Sequence, residues 1–241
     1  MQFENSINYL NVNDARTVGI KYLFLRKITS TRLLEWAKRK MVGEGVYFSK
    51  AFDRTKSVFV HIPKAAGTSV SKAFYGARQG HHTALAYKAS DPVRFARYYK
   101  FSIVRNPYSR LYSTYNYLLN SPHLEDNEWA QKNISQYKDF NDFVCNWVNA
   151  KNILTWKHFL PQSYFLCDED GNLLVDDIGN MENMAEIFSE VSLKLNFKGV
   201  LPQENVMGKT VNGYRKHYSD ASMEVVSQVY GEDLRRFNYE F

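Results

Sequence analysis

The stretch Ser57–Tyr75, SVFVHIPKAAGTSVSKAFY, constrains the fold of this chain more than any other. Val58, Phe59, Val60 and Ile62 form a short apolar run rich in β-branched residues, which predicts a buried strand. Pro63 has no N–H for a sheet ladder and ends that strand. Lys64 to Ser69 is a tight turn of small residues. Val70, Ala73 and Phe74 then fall at the spacing of a helix face. Strand, small-residue loop and helix together make an anion cradle. The first N–H groups of the helix lack intrahelical partners, and the helix dipole adds positive potential where they point. Lys64, Ala65, Ala66, Gly67, Thr68 and Ser69 are the candidate contacts: backbone N–H groups, two hydroxyls and one ammonium. Gly67 lets backbone approach a ligand closely. The competing reading is an ordinary strand–turn–helix with a surface lysine.

The loop is not a Walker A motif, because no Gly stands five residues before Gly67 and Lys64 precedes that glycine instead of following it. The missing G-K-[ST] argues against a P-loop kinase. A second stretch, Tyr99–Leu119, repeats the logic: YKFSIVRNPYSRLYSTYNYLL. Phe101, Ile103 and Val104 predict another strand. Pro107 suits the first turn of a helix, and Leu111, Tyr112, Tyr115, Leu118 and Leu119 keep helical period. Arg105 falls at the carboxyl end of the strand and Ser113 eight residues later. Ligands of open α/β sheets sit beyond the carboxyl ends of the strands, so both loops are expected to open on one crevice. Arg105 offers a bidentate fork for a phosphate and Ser113 a hydroxyl.

The order K-x-x-G-T-S at Lys64–Ser69, followed by R-N-P-x-x-R-x-x-S at Arg105–Ser113, resembles the two nucleotide-phosphate motifs of sulfotransferases. These enzymes use 3′-phosphoadenosine-5′-phosphosulfate (PAPS). HIPKAAGTS is most similar to the carbohydrate-sulfotransferase branch, family 2, of bacterial and chondroitin type. The resemblance runs from about residue 57 to the end. It takes in a P-Q-x-x-Y/F-L segment at Pro161, Glu182-Asn183, and a closing Y-x-x-D-x-x-x-F-x-Y at Tyr230–Tyr239. It implies an α/β fold, P-loop-like and three-layered, with a central, mainly parallel sheet flanked by helices. It also implies sulfuryl transfer from PAPS to a carbohydrate hydroxyl, leaving adenosine 3′,5′-bisphosphate, with no metal required. On this reading Lys64 and the loop hold the 5′-phosphosulfate, while Arg105 and Ser113 hold the 3′-phosphate. Lys209, in a stretch like one that closes over the nucleotide in relatives, is a further contact.

Attack by a hydroxyl calls for a base. Gly80-His-His-Thr-Ala lies between the two motifs, and its H-x-T-A pattern at His81–Ala84 resembles a segment of the same relatives. An imidazole titrates near the working pH, so His81 is the expected base and activity should rise near roughly pH 6.5. His82, His61, His158 or an acidic residue remain alternatives. Gln162 is a candidate for a substrate hydroxyl.

The 241 residues suffice for one substantial domain, expected over 51–241, preceded by a basic, helical extension over 1–50. Lysine and arginine number 31 against 25 aspartates and glutamates, a net charge of +6 that suits polyanionic ligands. The expected partner is a carbohydrate, with an acidic glycan and a lipid-linked oligosaccharide both open, and not nucleic acid. A nucleotide- or polyanion-binding domain without chemistry is the alternative class. Cys145 and Cys167 have neither metal-site nor disulfide-framework spacing and read as buried thiols. The apolar runs are too short to span a membrane, and the N-terminus lacks signal-peptide order. The expected compartment is therefore the cytoplasm, as for a bacterial-type enzyme, or the Golgi lumen if the chain is a trimmed piece. Residues 76–98 and 121–136 read as polar connections, Tyr164–Cys167 and Leu173–Val175 as a hairpin, and 184–195 and the segment about Val225–Tyr230 as helices.

Overall fold

The computed structural model describes residues 48–200 and 213–241. The basic segment before residue 48 and Lys209 lie outside the described residues. Helix α1 (Lys50–Thr55) leads into strand β1 (Ser57–Val60). Helices α2 (Gly67–Tyr75), α3 (Ala84–Ser90) and α4 (Pro92–Arg97) carry the chain to β2 (Tyr99–Val104). Helices α5 (Pro107–Leu119), α6 (Leu124–Asn133), α7 (Phe140–Trp147) and α8 (Gln162–Leu166) lead to β3 (Asp177–Asn180). Helices α9 (Met184–Lys194), α10 (Asp220–Val229) and α11 (Gly231–Arg236) complete it.

The three strands form one parallel sheet in the order β1-β2-β3. Ser57 pairs with Tyr99 on one side of β2, and Phe101 with Asp177 on the other. Parallel neighbours need crossovers, which the helices provide. Helices cover the sheet, so every residue of β1 is buried, as its unbroken apolar run requires. One core joins Val58, Phe59, Phe101 and Ile103 to Phe74, Tyr87 and Phe165. A second joins Leu111 and Leu118 of α5 to Phe143, Val144 and Trp147 of α7 and Val226 of α10. The fold is thus the α/β, sheet-and-helix architecture expected from the two strand–loop–helix units. Among the described residues, no helix is long and apolar enough to cross a membrane.

Local chemistry sets the helix starts. Pro107 opens α5 and Asn106 caps it, its Oδ1 accepting from Tyr108 N–H at 3.0 Å. Thr83 caps α3 through its hydroxyl, and Asp139 caps α7. Four expectations are corrected. Residues 76–98 hold two short helices, α3 and α4, and 121–136 holds α6. α6 buries only Asp126 and Ala130, so its sequence lacks an apolar stripe. Tyr164–Cys167 is not a strand: Tyr164–Leu166 belongs to α8, and only a bridge between Cys167 and Leu173 survives of the hairpin. The reason is distant in sequence, because the buried Asp233 carboxylate accepts from the N–H groups of Gln162 and Ser163 and so caps α8. Cys145 is exposed and Cys167 half-buried, both as free thiols.

Arg110 joins the first loop, α5 and the segment before α8. Its side chain is only 3 % exposed. Nε donates to the Pro63 carbonyl at 2.9 Å, Nη1 to Leu160 O at 2.9 Å and Nη2 to His158 O at 3.2 Å. Thr114, one turn along the same face, also donates to His158 O. Arg110→Ala leaves these buried carbonyls short of donors and is expected to lower the unfolding free energy by about 3 kcal/mol in urea titrations. A loss below about 1 kcal/mol would show that the carbonyls find other partners.

Candidate functional site

The first loop turns sharply from β1 into α2. Lys64 (φ 65°) and Ala66 (φ 56°) both occupy the left-handed region, which costs a non-glycine residue about 1 kcal/mol or more. Ala66 is the N-cap of α2 and makes no side-chain cap bond. The first turn of α2 therefore offers its N–H groups without a capping side chain, with the half-buried Thr68 and Ser69 hydroxyls beside them. Gly67 is required for a reason the sequence did not suggest. A Cβ there would lie 2.0 Å from Cδ2 of His61. The close neighbour is thus the His61 imidazole.

The second loop meets the first directly. Arg105 follows β2 and donates through Nη1 to the Lys64 carbonyl at 3.2 Å. Its Nε donates to Ser109 Oγ at 2.9 Å. The hydroxyl that touches Arg105 is therefore Ser109; Ser113 stands one turn further along α5, half-buried. Gln162 is corrected from substrate contact to scaffold. It is fully buried, its Oε1 accepts from Arg105 N–H at 2.9 Å, and its Nε2 donates to Arg105 O at 2.8 Å.

Three histidines gather beside the first loop. The His61 and His81 rings lie 4.2 Å apart, and His81 lies 6.4 Å from His158. His61 Nδ1 bonds the Gln79 carbonyl at 2.8 Å. His81 Nδ1 bonds the His61 carbonyl at 2.9 Å, and a carbonyl partner places the proton on Nδ1. That leaves a lone pair on His81 Nε2, which faces Nη2 of the exposed Arg78 at 3.1 Å. Burial lowers all three imidazoles: His61 to about 4, and His81 and His158 well below the ordinary histidine value. His81 is lowered further by His61 beside it, and His158 by Lys157 and Lys64. His82 stays out of the group and packs edge-on to Tyr87, at 5.7 Å between rings.

Lys64 reaches the same group of rings. Its Nζ lies 4.0 Å from the centre of the Tyr117 ring. Burial, then the nearby Arg105 and Arg78, lower it to about 8. Tyr117 Oη donates to Asp126 Oδ2 at 2.8 Å, and Asp126 Oδ1 lies 3.6 Å from His158 Nδ1. Arg78, Ser109, Arg110, Tyr117 and Asp126 were not expected here. One signal was present for Tyr117, which follows Ser113 at i+4 and Arg110 at i+7, the spacing of one helix face.

N–H groups at a helix start, an ammonium and a guanidinium make a donor set suited to an oxyanion, next to a neutral imidazole whose Nε2 lone pair faces Arg78. Among the described residues, no group of His, Cys, Asp and Glu is arranged to hold a metal ion. These features describe an α/β protein in which the loops after β1 and β2 meet through Arg105 and Lys64. The chain matches the model of sulfotransferase family 2 over residues 50–240 and belongs to that family. It is a transferase of sulfuryl groups. Neither a search of curated proteins nor one of solved structures returns a match.

Two outcomes follow from this geometry. Gly67→Ala should lower stability and activity together, and adding His61→Ala should restore part of the stability, because the new methyl then fills the space of the ring. A Gly67→Ala protein as stable as wild type would mean that the loop relaxes freely. The second concerns acid. The unfolded chain protonates its histidines near pH 6.5 while the folded chain keeps His61, His81 and His158 neutral, so unfolding takes up protons. Stability is therefore complete above about pH 6.5 and declines as pH falls from there toward about 4. Urea midpoints measured from pH 7 to 5 should fall, and less steeply in His81→Asn.

Proposed function

We propose that this sulfotransferase moves the sulfuryl group of PAPS to a hydroxyl of a carbohydrate. The observation that carries the reading is the meeting of the two loops at the Arg105–Lys64 contact, with His81 on the same crevice through His61. The N–H groups at the start of α2, with Ala65, Ala66, Gly67, Thr68 and Ser69, suit the 5′-phosphosulfate. Arg105, with Ser109 or Ser113 beside it, suits the 3′-phosphate.

When bound, PAPS supplies the activated sulfuryl group, whose S–O bond to phosphate breaks as the acceptor oxygen bonds sulfur. His81 takes the acceptor hydroxyl proton at Nε2 after the exposed Arg78 has moved aside. Lys64 stays largely charged at neutral pH, given a value near 8, and meets the negative charge left on the phosphate oxygen. The rate then rests on positioning and electrostatics, as in phosphoryl transfer. The acceptor is a sugar hydroxyl of an oligo- or polysaccharide, acidic or lipid-linked, which the positive net charge of +6 suits.

Sulfur-labelled PAPS and a panel of glycans test the reading by transfer of label. Adenosine 3′,5′-bisphosphate should raise the melting temperature and AMP much less. Arg105→Ala should lose most of that discrimination, about tenfold or more in affinity, as befits a charge-assisted contact. His81→Ala should cost about 10²–10⁴-fold in kcat with nucleotide affinity kept. Because burial lowers His81, the acid limb of wild-type activity should lie below pH 6.5 instead of at it. Equal affinity for the two nucleotides, or normal turnover by His81→Ala, would remove the corresponding assignment.

A further inference from the structure

Asp126 is a carboxylate with 6 % of its side chain exposed, and among the described residues no lysine or arginine pairs with it. Its Oδ1 and the facing His158 Nδ1 are buried without a hydrogen-bond partner. The direct partner that Asp126 does have is a phenol: Tyr117 Oη donates to Oδ2 at 2.8 Å. Across that ring, 4.0 Å from its centre, sits the Lys64 ammonium. We infer that Tyr117 is a positioning residue that seats Lys64 over its ring and links the ammonium to the carboxylate of Asp126.

The physics favours such a link. A cation over an aromatic face is held by the ring quadrupole, and the hold strengthens when the site is desolvated. A phenol that donates to a carboxylate gains electron density in the ring, so Asp126 strengthens the seat. The seat answers a problem the loop creates. Lys64 is partly buried, and the guanidinium groups of Arg105, after β2, and Arg78, after α2, both oppose its charge. Around it α5 supplies Tyr117, α6 supplies Asp126, and the segment before α8 supplies the neutral His158. Asp126 favours the charged ammonium. Its carboxylate offsets part of the lowering that burial, Arg105 and Arg78 impose. The His158 ring packs beside that of Tyr117, 5.2 Å away. Arg110 and Thr114 in turn hold the His158 carbonyl against the same face of α5.

The catalytic consequence rests on the reading of Lys64 as the group that meets charge on the leaving oxygen. The experiment therefore has one readout that needs no turnover. Lysines are reductively methylated with ¹³C-formaldehyde, and the Lys64 resonance is identified by its loss in Lys64→Arg. In the wild type it should lie upfield of the other lysines, through the ring current of Tyr117, and titrate near pH 8. In Tyr117→Leu the upfield offset should vanish and the titration should fall by about half to one unit. Tyr117→Phe should keep the offset, and both it and Asp126→Asn should titrate lower than wild type. The basic limb of kcat should move down in step, with KM for PAPS within about twofold, a shift that a purely structural tyrosine would not produce. The absence of an offset in the wild type overturns the inference, as does a wild-type titration in Tyr117→Leu. Should Tyr117→Leu fail to fold, unchanged titrations in both Tyr117→Phe and Asp126→Asn overturn it. An offset that behaves as expected in a protein that transfers no label from PAPS upholds the seat and refutes the proposed function.

Discussion

A single buried guanidinium ties together the parts from which the crevice is made. Arg110 donates to the carbonyls of Pro63, His158 and Leu160, so the first loop, the face of α5 and the chain before α8 share one anchor. A buried charge is costly unless its donors are met. Here carbonyl dipoles meet it, and the fold gains a fixed geometry in place of a local ion pair. Gln162 extends the anchor by taking both backbone groups of Arg105. Asp233 extends it again, capping the helix that carries Gln162. Arg105 is thus aimed by residues that lie far from it in sequence.

The electrostatics follow from this burial. Three imidazoles are held uncharged, so the positive charge around them comes from lysines and arginines, Lys64, Lys157, Arg78 and Arg110 among them. A neutral His81 with its proton on Nδ1 is the protonation state a base needs at Nε2. The same burial lowers Lys64. Under the proposed roles, His81 must stay unprotonated while Lys64 stays protonated, and their separated values leave a window around neutral pH in which both hold.

Much of this was legible in the sequence where local patterns decide structure. β1 carries the apolar run Val58–Val60, ended by Pro63, and β2 carries Phe101, Ile103 and Val104, ended by Arg105-Asn-Pro, and both loop–helix units emerged from them. β3 was missed because Asp-Ile-Gly-Asn carries no apolar run; it is a strand through its pairing with Phe101–Val104. Tyr164–Cys167 looked like a strand because aromatic and apolar residues fill it, and the cap that makes α8 helical comes from Asp233. At the site, Arg105 was legible from its motif, whereas Ser109 as its hydroxyl partner was not. Tyr117 and Asp126 were invisible for a different reason. One looks like a core aromatic, the other like a surface acid on a polar helix, and only tertiary packing sets them beside Lys64.

The loop itself shows how a short motif depends on what lies outside it. Lys64 and Ala66 adopt a backbone conformation that neither residue favours. Such strain persists only when surrounding contacts over-determine it. Those contacts are the Pro63 carbonyl held by Arg110, the Lys64 carbonyl held by Arg105, and the His61 ring packed on Gly67. They also decide the sign of the loop. Two carbonyls, the negative ends of its peptide dipoles, are turned toward arginines of the second motif, and the first turn of α2 is left without a capping side chain. The motif thus presents positive potential because the second strand–loop–helix unit binds its oxygens, which is the physical reason the two motifs work as a pair.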